Sequence, residues 1–391
     1  RSEMTQEVER NEMKDPERRI DADFDPDRAV EVDYEEAAPP EGGKQRHAND
    51  EDIQRAVDEL IERVNGGRPP SHDRRHVRDM ITAALKLIPD GRHTGELKLM
   101  AAATKELRYA YRVFGQYPEP HKVSIFGSAR TPVDHPDYQS AREFGKIMAE
   151  AGWMVITGAG GGIMQAGHEG PGRAKSFGVA IRLPFEQETN EFIRGDDKLI
   201  NFRYFFTRKL MFLSQSEAVV CFPGGYGTLD EAFETLTLIQ TGKAPIVPLV
   251  LLDGEGGDYW TGFTRFVTDF LLKNRMVNEE DLDLYYHATS PADAAEHVKR
   301  FYHNYRSCRY IRDELVIRMN RRLKPESIEA LNEEFPRLIA EGRINPVEAR
   351  EVEAVDLESP RIAFHHTRRD YGLLRRMIDR INELPTEGES A

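Results

Sequence analysis

The residues best suited to chemistry lie in one stretch of the chain, from Phe202 to Gln240. This stretch contains an Arg208-Lys209 pair, then a short apolar run typical of a strand, then a Gly-rich turn that opens into a helical pattern. Such a turn exposes backbone N–H groups beside a helix N-terminus, an arrangement that binds anions such as phosphate. Because Glu231 follows in the same helix, the stretch combines a predicted anion site with a carboxylate and a guanidinium.

The local sequence leaves two interpretations of Glu231 open. Thr228 stands at the predicted N-cap of the helix, and Glu231 follows three residues later, which is the spacing of a capping box. In that case Glu231 is a structural cap. In the other case it is a catalytic carboxylate. The glycines are equally ambiguous, because glycines after a strand are often ordinary turn residues.

The motif itself favours the catalytic interpretation. Residues 223–231, PGGYGTLDE, resemble the PGGxGTxxE signature of the LONELY GUY family of nucleotide phosphoribohydrolases, formerly labelled lysine decarboxylase-like. The Arg-Lys pair resembles the pair that precedes this signature. The resemblance implies that Arg208 and Glu231 act together in cleaving an N-glycosidic bond. The substrate contacts expected around them are Lys209, Gly224, Gly225, Tyr226, Gly227 and Thr228.

Two further loops follow predicted strands. The strand KVSIF (122–126) leads into GSAR, and the strand Trp153–Ile156 leads into TGAGGGIM. Ligands of parallel sheets bind beyond the carboxyl ends of the strands, where both loops fall. Both loops resemble segments around the nucleotide in the LONELY GUY family, although Ala159 stands in place of a glycine. The contacts implied are Gly127, Ser128, Thr157, Gly158, Gly161, Gly162 and Met164.

A third predicted strand, Phe177 to Leu183, is followed by Pro-Phe-Glu. Glu186 is therefore a candidate substrate contact at the same edge, because similar enzymes place a glutamate in this loop. The alternative is a solvated loop carboxylate, since Glu188 and Glu191 follow closely.

Apolar strand-like runs alternate with helical patterns, which predicts an α/β fold with a doubly wound, mostly parallel sheet of the Rossmann-like kind. Later strands are predicted at Ile246–Leu252 and Leu284–Ala288. We expect a disordered acidic tail over residues 1–50 and a helical extension over 51–120. The nucleotide-binding catalytic domain is predicted over 121–305, and a helical C-terminal extension over 306–391. Such domains commonly pair through helices, so we expect a homodimer or a higher homo-oligomer.

Composition narrows the class of partner. The 391 residues carry a net charge of −14, which disfavours nucleic acid and anionic membranes as partners and favours a small phosphate compound held by a local basic site. Two cysteines and the lack of any apolar run of membrane-spanning length predict a reduced, cytoplasmic protein. No metal is expected, because His168-Glu169 and His365-His366 lack ligand spacing. No cofactor is expected either, because Lys209 is better explained as an anion contact than as a Schiff-base lysine.

The C-terminal segment contains a basic run whose role stays open. Its arginines either pair with acids on solvated helix faces or form a basic face for a regulatory nucleotide or a neighbouring subunit. The residues are Arg361, Arg368, Arg369, Arg375 and Arg376.

The expected reaction is hydrolysis of a nucleoside 5′-monophosphate, such as AMP, to free base and ribose 5-phosphate. One alternative is the same chemistry on N6-modified AMP, giving cytokinin. The long extensions depart from compact cytokinin-activating enzymes and favour a general nucleosidase. Another alternative is a non-catalytic nucleotide or molybdenum-cofactor binding protein. A redox dinucleotide enzyme is disfavoured because the first strand lacks the GxGxxG turn.

Overall fold

The computed structural model describes residues 48–66, 73–119, 121–182, 188–350, 353 and 356–388. The chain divides into two compact units, one ending at residue 106 and one from residue 107 onward. Residues 1–47, which include almost all of the predicted acidic tail, lie outside the described residues.

The predicted helical extension contains three helices among its described residues. They are α1 (Glu51–Asn65), α2 (Asp73–Lys86) and α3 (Thr94–Phe114), the last of which continues into the second unit. The side chain of Gln54 joins α1 to α2, since its Nε2 donates to Thr82 Oγ1 at 3.1 Å and its Oε1 accepts from Arg78 Nε at 3.0 Å. Across the described residues, no helix is long and apolar enough to cross a bilayer.

The second unit is built on a seven-stranded sheet in which every pair of neighbours is parallel, in the order β4-β3-β2-β1-β5-β6-β7. This confirms the predicted doubly wound α/β fold. Only β4 had no counterpart in the sequence analysis. The strands are β1 (Lys122–Phe126), β2 (Met154–Thr157), β3 (Ser176–Ile181), β4 (Leu199–Phe202), β5 (Ala218–Cys221), β6 (Leu249–Leu252) and β7 (Tyr286–Ala288).

Helices connect these strands and cover both faces of the sheet, which explains why the strands are near-continuous apolar runs. Val123 and Ile125 of β1 belong to the core on one face, and Phe126 belongs to the core on the other face. The helices are α4 (Pro136–Glu150), α5 (Ile163–Glu169), α6 (Phe205–Ser214), α7 (Tyr226–Gln240), α8 (Tyr259–Phe266) and α9 (Pro291–Phe301).

The C-terminal extension contains helices, as expected, and also a sheet that the sequence analysis missed. Its helices are α10 (Pro325–Glu334) and α11 (Tyr371–Glu383). The sheet is antiparallel, in the order β10-β11-β9-β8. Its strands are β8 (Tyr305–Ile311), β9 (Glu314–Met319), β10 (Ile339–Val347) and β11 (Arg361–His366).

Two strands of this sheet contain buried arginines, which makes them hard to recognise from the sequence. Arg318 of β9 and Arg361 of β11 are almost fully buried, and both bind the carboxylate of Glu353. Since arginine is rarely buried unless it is paired, a sequence pattern assigns such positions to the surface. The predicted basic run thus begins with an interior residue.

Candidate functional site

The loops after β1 and β5 meet where the strand order reverses direction. Ser128 N donates to Pro223 O at 3.0 Å, and Phe222 N donates to Phe126 O at 2.8 Å. Ligands of doubly wound sheets bind in the crevice at this switch point. A cavity of about 280 Å³ opens there, and its lining residues are Ser128, Arg130, Thr131, Pro132, His135, Asp137, Pro223 and Gly224.

The loop after β2 packs against the loop after β1 through glycines. Gly162 has φ 59°, and a β-carbon there would lie 2.2 Å from Ser128 O. A β-carbon at Gly127 would lie 2.6 Å from the side chain of Ile163. At Gly161 the nearest such neighbour is a backbone oxygen at 3.4 Å. Gly127 and Gly162 are therefore explained by the close approach of the two loops.

A buried network of hydrogen bonds holds the loop after β2. Thr157 is fully buried, and its hydroxyl lies 3.0 Å from Nε2 of His168. Asn190 Nδ2 donates to Gly160 O at 2.9 Å and lies 3.1 Å from His168 Nδ1. Burial lowers the pKa of His168 to about 4, so the ring is neutral. Thr157, a predicted substrate contact, lies inside this network, and sequence reasoning missed Asn190 altogether.

Ala159 occupies a backbone conformation that suits glycine. Its φ is 64°, its side chain is buried, and its N–H donates to Thr157 Oγ1 at 3.0 Å. A left-handed conformation costs a residue with a β-carbon roughly 1–2 kcal/mol. The departure from the family pattern at this position therefore introduces strain but leaves the loop in place.

Arg208 is held by α6 and β3 against the loop after β2. Its Nε donates to Val179 O at 2.9 Å, and its guanidinium lies 5.1 Å from the ring centre of Phe212. A β-carbon at Gly158 would lie 2.5 Å from Arg208 Nη2 and 2.6 Å from Met164 Sδ. Three predicted site residues, Gly158, Met164 and Arg208, are thus brought into contact.

Helix α7 begins earlier than predicted. Its first residue is Tyr226, its N-cap is Gly225, and no side chain bonds to the cap. Thr228 is therefore the third helical residue, and the capping-box interpretation of Glu231 is wrong. The Glu231 side chain lies in the second turn, where the residue is 5% exposed and Oε2 is buried without a hydrogen-bond partner.

Burial raises the pKa of Glu231 to about 7, and the nearby charges of Lys209 and Arg208 oppose this rise. Lys209 does not bond to Glu231. Its Nζ lies 2.9 Å from Asp230 and 2.5 Å from Glu234, the carboxylates before and after Glu231 on the helix. Lys209 was expected to contact an anionic ligand, and its partners in the structure are these two carboxylates.

The start of α7 presents open backbone. Apart from the neighbouring residues and backbone of the helix itself, no heavy atom lies within 4 Å of the position that a β-carbon would take at Gly225 or Gly227, and Tyr226 is 94% exposed. Gly224, in contrast, packs against Thr228 and the N–H of Ser128. A ligand can therefore approach the helix N-terminus closely at two of the three predicted glycines.

Glu186 lies outside the described residues. In the part of the chain that the structure describes, no three His, Cys, Asp or Glu residues are grouped so as to hold a metal ion.

The C-terminal basic run is mostly paired within the protein. Arg375 binds Asp379, and Arg376 binds Asp283. Arg368 lies 4.9 Å from the ring centre of Tyr310. These contacts favour the structural interpretation of the run.

A parallel sheet with Gly-rich loops and a buried carboxylate at its switch point defines a Rossmann-like α/β protein. The family model described as "possible lysine decarboxylase" matches residues 161–298. An uncharacterized protein of Archaeoglobus fulgidus is 32% identical over 136 residues, which make up 34% of this chain and 84% of that protein. The chain belongs to this family, also called the LONELY GUY family.

Several solved structures resemble part of this chain at low identity. The molybdenum cofactor binding protein from Rippkaea orientalis is 19% identical, over 46% of this chain and 96% of its own, with a TM-score of 0.34. The molybdenum cofactor carrier protein from Chlamydomonas reinhardtii is 22% identical, over 46% and 98%, with a TM-score of 0.34. DNA processing protein A from Helicobacter pylori is 13% identical, over 49% and 85%, with a TM-score of 0.31. Similarity at this level assigns no activity.

Proposed function

We propose that this protein hydrolyses the N-glycosidic bond of a nucleoside 5′-monophosphate to give free base and ribose 5-phosphate. The observation that carries the proposal is Glu231, a buried carboxylate with an unpartnered oxygen, one turn beyond an open helix N-terminus. A buried polar atom without a partner costs stability, so such an atom in a family signature is best explained by a role in the reaction.

The start of α7 suits the 5′-phosphate. The helix has 15 residues and no side-chain cap, so its first N–H groups and its dipole favour an anion. The backbone at Gly225 and Gly227 is open to a ligand, and Thr228 adds a hydroxyl. A phosphate bound there would orient the sugar, and its binding energy would be used at the reacting carbon.

Glu231 would act on the sugar. Water oxygen bonds to C1′ as the C1′–N bond breaks, the bonding electron pair stays with the base, and the proton lost by water neutralises the base. The sugar develops oxocarbenium character, which a carboxylate stabilises, and the same carboxylate can accept the proton from water before that proton passes to the base. A pKa near 7 is close to the value that suits a general base at neutral pH.

Arg208 would position the sugar or Glu231. Its guanidinium is fixed by the bond to Val179 O and by contact with Gly158, so it offers oriented donors with little freedom left to lose.

The test is to incubate the pure protein separately with AMP, GMP, CMP, UMP and N6-isopentenyl-AMP, without added metal or coenzyme, and to assay free base and ribose 5-phosphate. We expect hydrolysis of at least one. The matching nucleoside is the control and should be a poor substrate, because it lacks the phosphate.

Two results would count against the proposal. Equal rates on the nucleotide and its nucleoside would show that the start of α7 does not bind the 5′-phosphate. No release of base from any of the five by folded protein would favour non-catalytic binding of a nucleotide or of molybdenum cofactor.

A further inference from the structure

Helix α7 packs into two different cores. Ala232, one residue after Glu231, is buried in the core beneath the parallel sheet. Ile239, near the other end of the helix, is buried in the core of the C-terminal antiparallel sheet together with Met377 and Ile378 of α11. The helix that carries Glu231 is therefore shared between the candidate site and the C-terminal extension.

Helix α7 is open at its N-cap and its first two residues, whereas Thr228 is buried and Leu229 packs on the core. Its N-cap makes no side-chain bond, Tyr226 is exposed, and Gly225 and Gly227 have open space around them. This openness suits a ligand.

The other end of α7 is tightly held. Gly242, just beyond the helix, has φ 67°, and a β-carbon there would lie 2.1 Å from the hydroxyl and Cζ of Tyr371. The Tyr371 hydroxyl lies 3.1 Å from that of Tyr310, which lies 2.5 Å from Nδ1 of His366. Tyr371 is thus pressed on the end of α7 and is itself fixed by two side chains of the antiparallel sheet.

A second contact holds the same end. Gln240, the last residue of α7, donates from Nε2 to Asp281 Oδ2 at 2.7 Å, and Asp281 also accepts from the N–H of Asn278 at 2.8 Å. Two contacts therefore hold the end of α7. The ring of Tyr371 packs at Gly242, and the carboxylate of Asp281 accepts from Gln240.

We infer that Tyr371 is a positioning residue for the proposed hydrolysis, fixing the end of α7 and through it the position of Glu231. The inference rests on the proposed function. Gln240, the last residue of α7, is nine positions after Glu231, which is about 14 Å along the helix. A helix transmits a shift over that distance because its backbone bonds are internal, whereas Tyr371 itself does not touch the reacting atoms.

The test compares Tyr371→Ala with Tyr371→Phe. The alanine variant removes the ring from Gly242, and the phenylalanine variant keeps the ring and loses only the hydroxyl. We expect kcat to fall about 10-fold or more in Tyr371→Ala and to stay within about 3-fold of wild type in Tyr371→Phe. Ile381→Ala is the matched control. Ile381 is fully buried and lies on α11, the helix that begins with Tyr371, nearly three turns further along it.

The pH dependence separates positioning from simple loss of stability. Glu231 faces Arg208 and Lys209 of α6, and Asp230 and Glu234 of its own helix. Cys221 of β5 is also near and stays a neutral thiol, since burial raises its pKa. If α7 shifts, Glu231 becomes hydrated, and the acid limb of the pH–rate profile should move to lower pH in Tyr371→Ala. The limb should not move in Ile381→Ala.

Hydrogen exchange gives a readout that does not depend on catalysis. Amides of residues 226–240 should exchange at least about 10-fold faster in Tyr371→Ala than in Ile381→Ala at equal distance from each variant's melting temperature. Equal exchange and an unmoved acid limb in the two variants would overturn the inference. If wild type hydrolyses no nucleotide, the proposed function fails, while the exchange comparison still decides whether Tyr371 positions α7.

Discussion

The guanidinium of Arg208 occupies the space that a β-carbon would need at Gly158, with Nη2 only 2.5 Å from that position. Gly158 directly follows β2 and Arg208 lies on α6, so the contact joins the loop after β2 to a helix fifty residues further along the sequence. Glycine at 158 therefore leaves room for the guanidinium, whose charge lies near Glu231.

Gly158→Ala should reduce turnover without unfolding the protein. The atoms that a new methyl would meet, Arg208 Nη2 and Met164 Sδ, are the ends of flexible side chains and can move aside. We expect kcat to fall about 10-fold or more, because a misplaced catalytic group loses much of its effect, with a small change in melting temperature. Gly262→Ala, at a helical glycine with open space, is the control and should keep full activity. Wild-type turnover in Gly158→Ala would show that the position of Arg208 is unimportant.

The pH–rate profile should report Glu231. With its pKa at about 7, the free enzyme should lose kcat/KM below neutral pH as the carboxylate is protonated. The charge of Lys209 lowers this pKa, so Lys209→Met should raise it and move the acid limb to higher pH. The profiles are measured with saturating and with limiting AMP. If the acid limb stays in place in Lys209→Met, the limb reports a group other than Glu231.

Glu231 should also reduce stability at alkaline pH. Its folded-state pKa, about 7, exceeds its ordinary value of 4.5, so its contribution to stability is fully present below pH 4.5 and is lost as pH rises through 7. Glu231→Gln should therefore be more stable than wild type at pH 8.5, by on the order of 3 kcal/mol at about 1.4 kcal/mol per pKa unit. Urea denaturation at pH 8.5 and pH 4.5 checks this, and the gain should disappear at the lower pH. An equal effect at both pH values would mean that the carboxylate is not destabilised by burial.

The location of many site residues could be predicted, because these residues lie in loops that directly follow strands. Short apolar runs marked β1, β2 and β5, and in a parallel sheet the loops after them must lie at one edge. The orientation of each side chain could not be predicted in the same way. Thr157 follows β2 as expected, yet it is buried because His168 and Ala159 bond to its hydroxyl.

Other errors have similarly specific causes. The helix start was misplaced because Thr228 and Glu231 fit a capping box, while the backbone at Tyr226 and Gly227 is already helical. The C-terminal sheet was missed because its strands bury Arg318 and Arg361, and the carboxylate that pairs with both lies outside the strands, 35 residues from Arg318 and 8 residues from Arg361. A hydropathy pattern does not show which charged side chains form ion pairs in the folded chain.

That pairing makes a separate prediction about stability. Glu353 is fully buried between Arg318 and Arg361, so Glu353→Gln would leave two buried guanidiniums without a counter-charge. Loss of one partner of a buried ion pair typically costs about 3–5 kcal/mol. Glu348→Gln is the control, because Glu348 is 88% exposed beside Arg322 and should change stability by less than about 1 kcal/mol. Similar denaturation midpoints for the two variants would contradict the buried network.

The most direct test of the central claim is the turnover of Glu231→Gln on the best nucleoside monophosphate. Glutamine keeps the shape of the side chain and removes its charge and basicity. If Glu231 stabilises the developing cation or activates water, kcat should fall by about 100-fold or more while nucleotide binding is largely kept. Arg208→Ala should lose a comparable amount, and the double variant should be little worse than either single one, since residues that act together are not additive. Near-normal turnover of a folded Glu231→Gln protein would contradict the account and remove Glu231 from the mechanism.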